Sequence, residues 1–318
     1  MKNLNDKFGR KIDYLRLSVT SRCNLNCLYC SPAKGSPAYE MTPDEIYRLV
    51  EIFADLGIKK VRITGGEPTV RKDLLEIVEK LNSLDKIEEI AMTTNGLNLT
   101  YELAKNLKKA GLSRVNIGLD SLNENNYKNL TGGDNLKDAL RGLDAALKAD
   151  LKPLHINVVM IKGENEDELD DFINLARTKA LDVRFIELMP FAEDLGPLKG
   201  LSNKEILAEY PELKIDETDK SPLNGPCTYY KADGFLGRVG LISPLSHMFC
   251  SGCNRIRLLS DGVLKPCLGQ EKEIDLKTYF NSPEKLKALI IKTVFEKPPA
   301  HTFGLKTPGG RPMRSIGG

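Results

Sequence analysis

Six of the seven cysteines fall into two sets of three. Cys23, Cys27 and Cys30 read Cys-Asn-Leu-Asn-Cys-Leu-Tyr-Cys within one short loop, and Cys250, Cys253 and Cys267 stand in the last third of the chain. Thiolates are soft ligands that suit zinc or iron–sulfur clusters. A structural zinc takes four protein ligands, whereas three thiolates on a four-iron cluster leave one iron open to bind something else. Each set therefore points to a cluster with a spare coordination position. A zinc ribbon at the later set would need a fourth ligand, for which Cys227 and His247 are the local candidates. An odd, clustered count fits metal ligation better than disulfides, and in a reducing cytosol these are thiols or metal thiolates.

Other residues with chemical potential lie at the ends of apolar runs or interrupt them. Gly65-Gly66-Glu67-Pro68 brings paired glycines that let backbone approach a ligand closely. Thr93-Thr94-Asn95-Gly96, Gly118-Leu119-Asp120 and Glu187-Leu188-Met189 close three further runs. Arg16, Lys60, Arg62 and Arg184 sit inside apolar runs, where charge is costly unless paired. Lys60 reads as outward-facing or as a rim salt bridge. Arg16 and Arg62 alternate with apolar neighbours so as to point inward, where a polyanion would supply the partner. Arg255 and Arg257 alternate in the same way, just past Cys253, and so face one direction.

The elements that must position these groups follow from periodicity. Strands are expected in YLRLSV, KVRIT, EIAMTT, RVNIGL, HINVVM and VRFIEL, with helices such as 44–56, 71–81 and 167–180 between them. Six β-α units are fewer than the eight of a closed barrel, so the fold class is α/β, an open partial (β/α)6 TIM-like barrel. In an α/β barrel the strands' carboxyl ends share one face, where separated segments converge on a pocket. From residue 220 the character changes. KSPLNGP reads as a connector, followed by strand-like TYYKA, RVGLI and RIRLLS and helical stretches near Asp275 and Ser282. The expected division is a barrel domain, 1–219, and a smaller C-terminal α+β lobe, 220–318, that closes the barrel opening.

Composition excludes several classes. Lys+Arg 46 against Asp+Glu 44 gives net +2, so no global field favours a polynucleotide or a membrane surface. No apolar run reaches the roughly 18 residues of a membrane span, and the first residues lack the apolar core of a secretory signal. A cytoplasmic location is the expectation. Trp is absent and aromatics are 6%, a poor supply of base-stacking platforms.

The spacing Cys-x-x-x-Cys-x-x-Cys after the first strand resembles the radical S-adenosylmethionine (SAM) superfamily. The resemblance implies that SAM chelates the open iron and that an electron cleaves its sulfonium to give a 5′-deoxyadenosyl radical. The later Cys-x-x-Cys-x-Arg-x-Arg with Cys267 resembles the GTP 3′,8-cyclase family within it. That resemblance runs from LRLSVTSRCNLNCLYC through RITGGEP, TTNGL, INVVMIKG and RFIELMP to SIGG.

What this second resemblance implies is specific. It brings two 4Fe-4S clusters and SAM as cofactors, the second cluster binding the guanine of GTP. Arg16, Arg62, Arg255 and Arg257 would hold and orient the nucleotide, with Thr93 and His155 on the same side. Tyr29, Gly66, Glu67, Gly118 and Met189 would contact SAM. Arg184, Gly317 and Gly318 join Arg16 and Arg62 as catalytic candidates, the tail reaching into the site. His155 stands where relatives commonly place a lysine, and Gly118 where they commonly place a serine. His155 would make nucleotide affinity depend on pH. The reaction implied takes hydrogen from C3′ of GTP and joins that carbon to C8, giving 3′,8-cyclo-7,8-dihydro-GTP, the first step of molybdenum cofactor biosynthesis. An external electron donor and a cyclic pyranopterin monophosphate synthase downstream are the implied partners, and a homodimer stays open. Rival readings are a peptide-modifying radical SAM enzyme, which would want more C-terminal cysteines, and a zinc-stapled RNA-binding module, which would want a basic surface. Cys227 reads as a buried thiol.

Overall fold

The computed structural model describes residues 4–30, 39–190, 198–218, 225–303 and 311–317. All six expected strands form, as β1 (Tyr14–Ser18), β2 (Lys60–Thr64), β3 (Glu89–Thr94), β4 (Arg114–Gly118), β5 (His155–Val158) and β6 (Asp182–Ile186). Between them lie α1 (Pro43–Asp55), α2 (Leu74–Asn82), α3 (Tyr101–Lys109), α4 (Glu124–Thr131), α5 (Leu136–Lys148) and α6 (Leu169–Thr178). Helix α1 shows why such segments are helical. Thr42 and Glu45 cap each other's backbone N–H groups and Pro43 opens the first turn, a device contributing about 1 kcal/mol. Ile46, Leu49, Val50 and Phe53 then fall on one buried face.

The C-terminal segment holds α7 (Asn203–Glu209), α8 (Pro283–Phe295), α9 (Met313–Ile316) and six strands. These are β7 (Lys214–Ile215), β8 (Thr228–Lys231), β9 (Arg238–Ile242), β10 (Arg255–Leu258), β11 (Val263–Lys265) and β12 (Ile274–Asp275). The helix expected near Asp275 is instead strand β12 followed by a single 3-10 turn, Lys277–Tyr279. The Asp275 carboxylate accepts from the Lys277 N–H at 2.9 Å, which favours a turn over a helix start.

One twelve-stranded sheet contains all of these strands, in the order β12-β11-β10-β1-β2-β3-β4-β5-β6-β9-β8-β7. β10 pairs parallel to β1 and β9 parallel to β6, so two C-terminal strands extend the six parallel strands, one at each edge. β11–β12 and β8–β7 continue antiparallel beyond them. The C-terminal segment thus continues the barrel wall itself. The expected division at 219/220 falls between β7 and β8, which pair with each other. No helix of the described residues is long and apolar enough to cross a membrane.

Alternation along the parallel strands separates two faces. Leu15, Leu17, Val61, Ile63, Val115, Ile156, Val183 and Phe185 are buried in the main core, each worth roughly 1.5–3 kcal/mol. The opposite face is polar, and its charges pair across the strand starts. Lys60 meets Glu89 at 3.1 Å, Glu89 meets Arg114 at 2.7 Å, and Arg114 meets His155 Nδ1 at 3.1 Å. His155 Nε2 meets Asp182 at 3.3 Å, and Asp182 meets Arg238 at 2.7 Å. These are the first residues of β2, β3, β4, β5, β6 and β9. Lys60, expected to point outward or to sit at a rim, is in this belt and 1% exposed, because its carboxylate partner is on the adjacent strand's first residue.

Candidate active site

The first cysteine set follows β1 at the carboxyl end of the sheet. Cys30 N–H donates to Cys27 O at 3.0 Å, and the loop is sewn to α4 by Asn26 N–H to Thr131 O (2.8 Å) and Leu28 N–H to Leu130 O (2.9 Å). Gly65 and Gly66 are required here by a contact within the protein. A Cβ on Gly65 would lie 2.5 Å from Thr20 O, and one on Gly66 2.3 Å from Arg22 O. Gly66 and Glu67 donate their N–H groups to those same two carbonyls. The paired glycines therefore clamp the cysteine loop against β2, and they also line the cavity beside it.

Glu67 continues the clamp. Its buried carboxylate accepts from Thr69 N–H (3.0 Å), Thr69 Oγ1 (2.7 Å), Thr94 Oγ1 (2.7 Å) and Asn95 N–H (2.7 Å), tying the β2 and β3 loops together. Asp120 accepts from Tyr29 Oη at 2.5 Å and from Val159 N–H at 2.8 Å, and burial raises its carboxyl to about 6. These loops enclose a cavity lined by Cys23, Cys27, Cys30, Tyr29, Gly66, Glu67, Gly118, Asp120, Glu187, Met189 and Arg314. Gly118 faces open space, its nearest neighbour to an added Cβ being Thr94 O at 4.0 Å.

Burial pushes the Cys23, Cys27 and Cys30 thiols up, Cys30 to about 11, and the neighbouring thiols add to the effect at Cys27. Such a set becomes thiolate when a cation sits among the sulfurs. Among the described residues, no three His, Cys, Asp or Glu side chains converge on a point that would hold a single ion. Cys23, Cys27 and Cys30 nonetheless line one cavity, as a cluster whose irons each take one thiolate requires. The donor set fits an iron–sulfur cluster.

A second cavity adjoins the first, with Thr93, Asn157, Ile186, Met189 and Met313 lining both. Its charged lining is Arg16, Arg62, Arg114, Arg184, Arg255, Arg257 and Lys297, and no carboxylate lines it among the described residues. Strand register places Arg16 beside Arg62 on one side and Arg257 on the other. Burial and the neighbouring guanidiniums together depress Arg16 to about 10 and hold Arg257 well below its usual range. Seven like charges without a carboxylate among them make a strong site for a polyanion.

The far end of this cavity carries Cys250, Cys253 and Cys267. Cys250 and Cys253 precede β10, so this set lies at the amino end of the parallel strands, opposite the first. Arg10, held by Asp6, donates to Cys250 O at 2.8 Å and fixes the loop. Burial pushes the Cys253 thiol up, but Arg255 and Lys297 bring it down to about 7. Cys227 lines the same cavity beside Gly240, whereas His247 is exposed and does not line it. A zinc ribbon therefore lacks its histidine here.

The tail reaches the first end. Arg257 donates to Gly317 O and to Ile316 O (3.4 Å), while Arg314 donates to Asn26 Oδ1 at 2.9 Å inside the cysteine loop. Gly317 has φ +78°, and an added Cβ would lie 2.2 Å from Thr64 Oγ1. Gly318 lies outside the described residues.

Comparison with known proteins identifies this arrangement. The radical SAM superfamily description matches residues 17–176, and that of Molybdenum Cofactor Synthesis C matches residues 181–303. A GTP 3′,8-cyclase of Clostridium botulinum (strain Langeland) is 45% identical over 302 residues, covering 93% of each chain. The chain belongs to the GTP 3′,8-cyclase family of the radical SAM superfamily. A further family member, from Lactiplantibacillus plantarum, is 40% identical over the whole of both chains. Among solved structures, Streptococcus suis SuiB bound to S-adenosylmethionine superposes with TM-score 0.62 at 16% identity, covering 89% of this chain and 67% of that one. Native anSMEcpe with bound AdoMet gives 0.59 at 18%, covering 90% and 81%. These two likenesses concern the fold.

Within this family member, the expected SAM contacts Tyr29, Gly66, Glu67, Gly118 and Met189 all line the first cavity. Arg16, Arg62, Arg184, Arg255 and Arg257 line the second, and Thr93 lines both. His155 does not line either. It is 1% exposed in the ion-pair belt, and burial, reinforced by Arg184, holds its pKa well below the ordinary value against the pull of Asp182. The pH-dependent substrate contact expected of it is replaced by a structural one. Sequence reading missed Arg114, Asn116, Lys297 and Arg314. The alternation that flags Arg16 and Arg62 also flags Arg114 and Asn116 in β4, while Lys297 and Arg314 lie in segments with no pattern to read.

Proposed function

We propose that this protein is a radical SAM cyclase that converts GTP to (8S)-3′,8-cyclo-7,8-dihydroguanosine 5′-triphosphate, the first step of molybdenum cofactor biosynthesis. The observation that carries this reading is the cavity of six arginines and one lysine, without a carboxylate among its described lining residues, lying between two three-cysteine sets. SAM and an iron–sulfur cluster at Cys23, Cys27 and Cys30 supply one-electron cleavage and hydrogen-atom abstraction when bound. Cys250, Cys253 and Cys267 would hold a second 4Fe-4S cluster, whose open iron would bind the guanine. Arg16, Arg62, Arg255 and Arg257 hold the triphosphate, Arg184 lies across the lumen from them, and Gly317 closes the tail over the reacting end. Glu67, Asp120 and Glu187 put buried carboxylates on the SAM side only, so the positive sulfonium and the negative phosphates each have their own half. Residues 1–219 supply the SAM half and four of the nucleotide half's cations, and residues 220–318 supply the second cysteine set, the other three cations and the tail; an external electron donor, a downstream cyclic pyranopterin monophosphate synthase and a cytoplasmic location complete the reading.

Anaerobic incubation of reconstituted enzyme with SAM, dithionite and GTP tests the reading. Cyclised nucleotide and 5′-deoxyadenosine are expected together, and 5′-deoxyadenosine without a GTP-derived product removes the substrate assignment. Replacing Gly317 by alanine is expected to displace the tail, since both the left-handed φ and the 2.2 Å approach to Thr64 reject a Cβ. Cyclised product should fall about 5- to 30-fold, corresponding to roughly 1–2 kcal/mol of backbone penalty at that position. Iron content should not change, and product formation at the unsubstituted level would show that the tail has no part in turnover.

A further inference from the structure

In the belt of strand-start residues each carboxylate stands between two basic side chains, and one further position has the same flanks without a carboxylate. Glu89 stands between Lys60 and Arg114, and Asp182 between His155 and Arg238. Tyr14, first residue of β1, stands in the corresponding place between Lys60 of β2 and Arg255 of β10, its register partners on either side. Its hydroxyl accepts from Arg62 Nε, and Lys60 Nζ and the Arg62 guanidinium lie 5.0 and 5.8 Å from its ring centre. Tyr14 is 3% exposed and lines the arginine cavity. Apart from cysteine thiols, it is the one acid among the described residues that line this cavity.

We propose that Tyr14 is the internal counter-ion of the nucleotide-free cavity, a phenolate that holds Arg62 and takes up a proton when the nucleotide's phosphates replace it. The inference rests on the nucleotide reading above. The groups facing the phenol are Arg16 on its own strand, Lys60 and Arg62 on β2, and Arg255 and Arg257 on β10, with Glu89 and Arg114 behind Lys60. Burial pushes the phenol up, but Arg62, Arg16, Lys60 and Arg255 outweigh it and bring Tyr14 to about 7. When four or so phosphate charges enter, those cations turn to them and the phenol regains its ordinary affinity for the proton. The step is a protonation by solvent alone, so binding consumes hydrogen ions and affinity falls as pH rises past 7.

Anaerobic calorimetric titration of the holoenzyme with GTP, without SAM, in buffers of different ionisation enthalpy tests this. Burial brings Lys60 itself to about 8, so both proteins compared carry Lys60→Met. At pH 8 the γ-phosphate is already ionised, and uptake of up to roughly one proton per nucleotide is expected for the protein that keeps Tyr14, against none for the one that also carries Tyr14→Phe. Between pH 7.5 and 8.5 the Kd of the first should weaken several-fold while that of the second stays level. Equal proton uptake by the two proteins, or none by the one that keeps Tyr14, overturns the proposal. Should the Tyr14→Phe protein not fold, the proton count and pH profile of the one that keeps Tyr14 decide alone. GTP binding without proton uptake removes this inference and leaves the nucleotide reading standing, whereas no GTP binding at all removes both.

Discussion

Replacing Cys253 by alanine is expected to halve the iron of the reconstituted protein and abolish cyclised product, while 5′-deoxyadenosine formation from SAM persists. Replacing Cys27 should also halve the iron, but with loss of both products. The contrast follows from the placement of the two sets at opposite ends of adjoining cavities. Two thiolates do not retain a four-iron cluster that three hold, so each substitution empties one end only. At the Cys253 end the loop keeps its Arg10 anchor on Cys250 O, and the β1–α1 loop bearing the first set is untouched. Iron and sulfide analysis with chromatographic assay of both products measures this. Undiminished iron in either variant, or zinc at either set, would break the assignment of clusters.

Replacing Arg16 by methionine is expected to have two effects of opposite sign. GTP affinity should fall by about 30- to 150-fold, the roughly 2–3 kcal/mol of a buried charge-assisted contact, with SAM affinity unchanged. Thermal stability in the absence of nucleotide should rise by a few degrees. Arg16 is a base whose folded pKa, about 10, lies below its ordinary value, so at neutral pH, below both, the folded protein carries the cost of its charge. Burial contributes most of that cost, Arg62 and Arg255 add repulsion, and Tyr14 offsets only part of the total. An apolar side chain of similar length removes the charge and keeps the volume. Calorimetric titration and a thermal scan in matched buffer read both effects. A variant that binds GTP as tightly as the wild type would exclude Arg16 from phosphate recognition.

Much of the site was legible because its chemistry is written in spacing. Three cysteines in one loop cannot avoid sharing a cavity, and an arginine alternating with leucines in a parallel strand must face away from the helices, as Arg16 and Arg62 do. The same rule places Arg114 and Asn116, which the motif-centred reading passed over. Lys60 forms the rim salt bridge expected of it, with Glu89, whereas His155, expected on the substrate side, is in the same ion-pair belt. Each is a strand's first residue, and whether such a residue faces the lumen or a neighbouring carboxylate depends on inter-strand register, which one strand's sequence does not contain. The glycine pair at 65 and 66 was recognised as a close approach, but what it approaches, the carbonyls of Thr20 and Arg22, emerges only when β1 and β2 lie side by side. Likewise RVGLI and RIRLLS read as strands, yet nothing in them says that they flank opposite edges of the same sheet.

That flanking has a consequence for anyone dividing the molecule. Because β10 covers one side of β1 and β9 covers one side of β6, a fragment stopping short of residue 238 would bare two long rows of unpaired amides and carbonyls and invite self-association. The seam between the two matched family descriptions, at 177–180, falls inside one continuous sheet and is not a place to cut the protein.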